Sequence, residues 1–318
     1  MGRVCVIGST NLDFTVRVPR LPQPGETVSG GELRLSTGGK GANQALAARR
    51  LGAEVRFVTL LGRDPMGDRL AAALRDAGLA PDAVLRTGET PTGVALIAVD
   101  PEGANQIAVA PGANHRLVVE VVEPHVTALD WADVVLLQLE TPIETVRWAL
   151  REARRRGKVT VLNPAPARVL PLPPDLLGLV DYLTPNEGEA GLLTGRDARS
   201  FGSLDDAETA GRELVAAGVG AAVVTLGAAG SVALERPGCI RVSGFTVSPV
   251  DTVGAGDAFN GGLATLLAAG ASLGDAMLVA NAAGALACTR AGAADSLPTR
   301  SEVEALMKRQ GRWPAIAW

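Results

Sequence analysis

Short apolar runs rich in β-branched residues recur along the chain: VCVI at 4–7, VRFVTL at 55–60, VVLL at 134–137, VTVL at 159–162 and AVVTL at 222–226. None alternates with polar positions, which is the pattern of strands covered on both faces. Between them, apolar positions take a helical spacing over Asn43–Leu51, Gly67–Ala77, Ile143–Arg156 and Ser203–Ala217, each closed by glycine or a polar turn. Strand alternating with helix predicts an α/β fold with a mainly parallel sheet flanked by helices.

Two segments break this rhythm, 14–37 (FTVRVPRLPQPGETVSGGELRLST) and 91–110 (PTGVALIAVDPEGANQIAVA). Both read as short strands joined by Gly/Pro turns, with alternation such as Thr15, Val16, Arg17, Val18. The expected division is therefore an α/β domain of residues 1–13, 38–90 and 111–318 and a small β-sheet of 14–37 and 91–110. Inserted after the first strand and after the third strand–helix unit, that sheet would form a lid over the strands' carboxyl ends, where open α/β sheets bind ligands, or else a decorative edge sheet.

Composition narrows the function classes. Of 318 residues 47% are hydrophobic, enough for a large core, and 30 basic against 34 acidic residues give a net charge of −4. No global positive field exists for nucleic acid or anionic lipid, so neither partner is expected. Cys5, Cys239 and Cys288 are scattered and outside any CxxC pairing, as for thiols kept reduced. The N-terminal apolar run of four residues is too short for a signal-peptide core, so a cytoplasmic location is expected. Leu214–Leu234 carries no charge but is cut by Gly218, Gly220, Gly227 and Gly230, which argues against a membrane span. His115, His125 and the cysteines make no cluster with zinc-ligand spacing.

The strongest chemical signal is DTVGAGDAFNGGLATLLAAG at 251–270, a Gly-rich turn running into an amphipathic helix. Gly254 and Gly256 allow successive N–H groups to converge, and the helix start adds its positive dipole end. Asp257 would sit in that anion hole beside a phosphate, placed to take a proton from an attacking hydroxyl, although an isolated Asp there is more often a cap. Other phosphate motifs fail. Gly39-Lys40 has Arg34 and Gly41 where a P-loop needs glycine and Ser/Thr, and the first strand leads into GSTNLD rather than GxGxxG. A second group, Asn11 and Asp13 beyond the first strand with STGGKGANQA at 36–45, suits a polyhydroxylated ligand, or equally a turn cap and a helix start.

These residues resemble the PfkB (ribokinase) family of carbohydrate kinases. GGKGANQALAARRLGAEVRFVTLLGRDPMGD at 38–68 and DTVGAGDAFNGG at 251–262 match its two signatures, and GSTNLDFTVRVPRLPQPGETVSG, PTGVALI, QLETP, NPAPAR, TPNEGE, TLGAAG and TRAGAADSLP extend the likeness from Cys5 to about Pro298. The resemblance implies a Rossmann-like domain with a β lid. It implies ATP-dependent phosphorylation of D-ribose at O5, with deoxyribose, fructose or a nucleoside as other acceptors and a non-catalytic sugar-binding protein as another class. An NAD-dependent oxidoreductase is disfavoured by the missing GxGxxG.

Residue by residue, the resemblance implies Asp257 as catalytic base and Gly254, Ala255 and Gly256 as the anion hole for the γ-phosphate. Asn11, Asp13, Gly39, Lys40, Asn43, Glu140 and Asp257 match sugar-binding positions; on periodicity alone Glu140 is only a carboxylate after a buried strand. Asn186, Glu189, Thr225, Leu226, Gly227, Ala228, Ala229, Gly230, Gly256 and Asn281 match the ATP site, with the NxxE pair Asn186 and Glu189 linked to magnesium. Asp251, Val253, Ala287, Arg290, Gly292 and Ser296 match a potassium site, Asp251 and Ser296 through side chains and the others through carbonyls. A homodimer through the lids is also implied, with Val16, Val18, Val94, Leu96 and Ile97 as its apolar contacts or, equally, as side chains packed on their own domain.

Overall fold

The computed structural model describes residues 2–79, 83–166, 171–196 and 203–316. The last two residues of NPAPAR, 167 and 168, lie outside them. In chain order the strands are β1 (Arg3–Ile7), β2 (Asn11–Arg17), β3 (Leu33–Gly38), β4 (Glu54–Gly62), β5 (Val84–Thr87), β6 (Gly93–Val99), β7 (Asn105–Ala110), β8 (Val134–Leu137), β9 (Val159–Leu162), β10 (Tyr182–Leu183), β11 (Ala221–Thr225), β12 (Gly230–Glu235) and β13 (Cys239–Ser243). Nine form one sheet in the order β13-β12-β11-β10-β9-β8-β1-β4-β5, parallel from β11 to β5 and antiparallel at the β12 and β13 edge.

The continuous apolar runs are explained by burial on both faces. Val4 and Val6 of β1, Val134 and Leu136 of β8, and Val223 of β11 enter one core. Their neighbours Cys5, Ile7, Val135, Leu137, Ala222 and Val224 enter the other. On the first face lie helices Lys40–Arg50, Ala255–Ala268, Leu273–Ala287 and Arg300–Arg309; on the second, Ile143–Arg155 and Leu204–Ala216. Among the described residues no helix is long and apolar enough to cross a membrane.

The four remaining strands make a separate sheet, ordered β3-β2-β6-β7. It begins at Asn11, three residues before the expected lid boundary, so Asn11 and Asp13 are themselves strand residues. Leu12 anchors it by packing with Leu61 at the carboxyl end of β4 and Leu70 of helix Pro65–Asp76. The helix after Gly254 is not amphipathic as its sequence suggests: residues 257–266 are all buried, wedged between helices Lys40–Arg50 and Leu273–Ala287. Cys5 is buried, Cys288 half-buried and Cys239 exposed.

Candidate active site

One side of the site is built where β1 gives way to β2 and β3 to helix Lys40–Arg50. Asn11 is 3% exposed. Its Oδ1 accepts from Asn114 Nδ2 at 2.7 Å, and Asn114 Oδ1 in turn accepts from the Thr10 amide at 2.9 Å. Asn114, on the short turn after β7, has no counterpart among the sequence-derived candidates; a lone Asn in GANHR carries no periodic or motif signal. Asp13 lies on the same face of β2 as Asn11. Its carboxyl is pushed up to about 7, by burial first and then by the charges of Glu140 and Asp257.

Gly39 caps the helix that starts at Lys40. Glu140 Oε2 accepts from the Lys40 amide at 2.9 Å and from Ser9 Oγ at 2.5 Å, which ties the end of the β8 segment to the helix start. Burial opposes the Lys40 ammonium, yet the carboxylates of Asp257, Glu140 and Glu189 raise its pKa above the ordinary value. Lys40 therefore stays charged among these carboxylates.

Asp257 is 7% exposed. Asn43 Nδ2 donates to its Oδ2 and Gln44 Nε2 to its Oδ1, both at 2.9 Å, so both oxygens are held from the facing helix. Burial raises its pKa; the Lys40 charge and the bonds from Gln44 and Asn43 pull it back. Asn43 Oδ1 is buried without a protein partner, leaving an acceptor for a ligand hydroxyl. Gly254 precedes the Asp257 helix at φ 82°, a left-handed conformation that turns the chain so that the amides of Ala255, Gly256 and Asp257 lead the helix. First-turn amides have no intrahelical carbonyl to bond, and space beside Gly256 is open.

On the far side of Gly256 lies a cavity of about 510 Å³, lined by Thr225, Gly227, Ala228, Gly230, Gly256 and Asn281 among others. Phe245, Val247, Pro249 and Cys288 also line it and make it mainly apolar, and these escaped the sequence reading. Leu226 packs into the core instead, and neither it nor Ala229 lines the cavity. Asn281 is fixed by donating to the Val242 carbonyl at 3.0 Å. Asn186 and Glu189 lie outside the cavity lining and form a capping box at the start of helix Glu187–Leu193, with reciprocal bonds of 2.8 and 3.0 Å. Asn186 also bridges to Thr225 at the end of β11, which ties this helix start to the cavity wall.

Asp251 clasps two loops: Oδ1 accepts from the Val253 amide at 3.0 Å and Oδ2 from the Gly292 amide at 2.9 Å. Ser296 Oγ donates to the Ala293 carbonyl at 2.8 Å, which leaves its lone pairs free. The Arg290 side chain pairs away with Glu302, so position 290 offers this loop its carbonyl, and the Ala287 carbonyl is only weakly engaged by the Arg290 amide at 3.4 Å. Among the described residues no group of three or more His, Cys, Asp or Glu is placed to hold a metal; a cation here would rest on one carboxylate, a hydroxyl and carbonyls.

A buried carboxylate on the first turn of a helix, set between a polar cleft and an apolar cavity of nucleotide size, is the arrangement of a phosphotransferase acting on a hydroxylated small molecule. The chain belongs to the pfkB family of carbohydrate kinases, whose family model matches residues 1–300. It is 40% identical over 298 residues to the ribokinase of Haemophilus influenzae, covering 93% of this chain and 95% of that protein. It is 36% identical to the Bacillus subtilis ribokinase, over 96% of this chain and 100% of that one. Among solved structures, Arabidopsis thaliana ribokinase complexed with ribose and ATP superposes with a TM-score of 0.88 at 32% identity, covering 96% of this chain and 99% of that one.

Proposed function

We propose that the chain transfers the γ-phosphoryl group of ATP to O5 of D-ribose, giving D-ribose 5-phosphate. The observation that carries this reading is Asp257, held by Asn43 and Gln44 on the first turn of a helix whose leading amides lie between the two binding regions. Likeness to ribokinases over nearly the whole chain supports ribose as the acceptor.

The chemistry follows from the arrangement. The Asn11 amino group, the Asp13 and Glu140 carboxylates, the Gly39 backbone, Lys40 and Asn43 would hold the ribose hydroxyls, presenting O5 to Asp257. Asp257 takes the O5 proton as that oxygen attacks in line. The amides at the helix start, with Gly254 setting their direction, stabilise charge on the transferred group, and Lys40 adds its positive charge from the acceptor side. ATP would lie in the apolar cavity, its base between the Thr225–Gly230 turn and Asn281.

Magnesium carried on the nucleotide would neutralise phosphate charge when bound. Glu189 fits contact with its hydration shell: one carboxylate oxygen serves the Asn186 cap, and the other has no such role. A potassium ion fits the loops at Asp251, Val253, Ala287, Arg290, Gly292 and Ser296, since an all-oxygen set suits a hard cation. The ion would order the turn that carries the anion hole. Replacing potassium with a bulky organic cation should lower kcat several-fold; unchanged turnover would remove potassium from the account.

We also infer a homodimer through the small sheet. Leu33, Leu96, Ile107 and Val109 are exposed there at 60, 57, 49 and 36%. Of the residues expected at that contact, Val18 is instead buried against its own protomer. The reaction itself is tested by ADP release with ATP, magnesium and potassium across ribose, deoxyribose, fructose and nucleosides. The highest kcat/KM is expected with ribose. Preference for another acceptor moves the substrate, and no turnover with any of them points to an acceptor outside this set or to the sugar-binding reading.

A further inference from the structure

Behind Asp257 lies a run of polar side chains that touches no bound molecule in the scheme above. Gln44, Asn163, Thr184 and Asn260 are exposed by 0, 7, 2 and 1%; Gln44 and Asn260 lie on two helices, and Asn163 and Thr184 just past the ends of β9 and β10. Gln44 Nε2 donates one hydrogen to Asp257 Oδ1 at 2.9 Å and the other to Asn163 Oδ1 at 3.0 Å. Its Oε1 accepts from Gln138 Nε2 at 2.6 Å. Asn163 Nδ2 donates to the Thr184 carbonyl at 3.1 Å, and Thr184 Oγ1 donates to Asn260 Oδ1 at 2.6 Å. Asn260 Nδ2 then donates to the Gly256 carbonyl at 2.8 Å.

Gly256 and Asp257 share a peptide, so the circuit leaves the carboxylate and returns to the backbone one residue earlier. The carbonyl held by Asn260 belongs to the same peptide as the Asp257 N–H, one of the first-turn amides. Polarity is set throughout: a carboxylate only accepts, so Gln44 must present its amino group to Asp257, and each following amide has one orientation left. Flipping any member would leave a buried group unpaired.

We propose that Gln44, Asn163, Thr184 and Asn260 are positioning residues that lock the Asp257 carboxylate and the Gly256–Asp257 peptide in one relation, so that proton acceptor and anion-binding amide stay aligned through turnover. This rests on Asp257 being the proton acceptor. A merely structural network would set stability and leave the pH profile and the balance between kcat and KM alone.

Thr184→Val keeps the shape and deletes the hydroxyl; Thr184→Ser restores it. Thr184→Val should lower kcat by about 5- to 50-fold with KM for ribose and ATP within threefold, while Thr184→Ser stays within about twofold of the parent. Gln44→Met removes both donated hydrogens. It should lower kcat and move the acidic limb of the kcat profile to higher pH, because a carboxylate that loses a donor binds its proton more tightly. Losses in the double variant should fall short of the product of the single ones, as for parts of one unit. Thermal unfolding identifies which variants fold, and either one carries the test alone. Full kcat in the folded variants, a loss confined to KM, or equal damage from Ser and Val would overturn the proposal. Asp257→Asn, run alongside, separates the two readings. If it retains turnover, the base assignment fails; if it is inactive while Thr184→Val and Gln44→Met are fully active, only the network fails.

Discussion

Asp257 is a carboxylate taken out of water but not left unpaired. Burial lifts its proton affinity, and two amide donors with a nearby ammonium restrain that lift, leaving a base nearer the pH at which it works. Asp257→Asn removes the proton acceptor and keeps the volume, so kcat should fall by about 10²- to 10⁴-fold with ribose binding by calorimetry changed little; residual kcat within tenfold of the parent would exclude the role. Asp13 makes a separate prediction. Its pKa rises from 3.8 in the unfolded chain to about 7 in the folded one, so between those values the folded state holds a proton that the unfolded state lacks. Stability from this group is therefore full at low pH and is lost as pH rises toward 7. Asp13→Asn should gain thermal stability relative to the parent at pH 8 more than at pH 5. It should also weaken ribose binding by about 1.5–3 kcal/mol, the net worth of a hydrogen bond to a charged group, seen as a higher KM. Asp13, Asp257 and Lys40 are legible in sequence because each sits in a glycine-bearing motif. Asn114 is not, and Asn163 and Thr184, although they open the quoted NPAPAR and TPNEGE runs, show no role there, since a buried amide or hydroxyl earns its partner from chain segments far away.

Helix Lys40–Arg50 and helix Ala255–Ala268 must approach closely for Asn43 and Gln44 to reach Asp257. Gly261 permits it: a Cβ there would stand 2.5 Å from the Ala47 Cβ and 2.8 Å from the Ala48 amide nitrogen. Gly261→Val should force the helices apart at an overpacking cost of about 1–3 kcal/mol and reduce kcat well beyond what the lower melting temperature explains, while Gly274→Ala, which meets only distant side chains, should do neither. Circular dichroism melts and steady-state kinetics on both variants decide this. At this scale the sequence is generous where burial is one-sided or strands are continuous. Helix Ile143–Arg155 keeps an apolar stripe and stands within a residue of its expected end. Helix Leu273–Ala287 leaves no such trace, because it is buried on most sides and its apolar positions have no period.

Among the described residues, the small sheet is where exposed aliphatic side chains gather, Leu33, Leu96, Ile107 and Val109 lying on its strands. A two-fold pairing buries its exposed aliphatic patch twice. At roughly 1 kcal/mol for each partly exposed side chain, that reaches the lower part of the about 4–15 kcal/mol that association costs. Leu96→Asp with Ile107→Asp should therefore shift sedimentation from dimer to monomer at micromolar concentration, and a monomeric parent protein would remove the interface. The bonds that hold Asp257 span 213 and 214 positions along the chain. During synthesis the helix that offers Asn43 and Gln44 emerges long before its carboxylate partner exists, and closing so long a loop adds little free energy but much search time. Phosphoryl transfer thus reports on a long-range docking event: in refolding from denaturant, helical signal should return first and turnover only after a measurable lag.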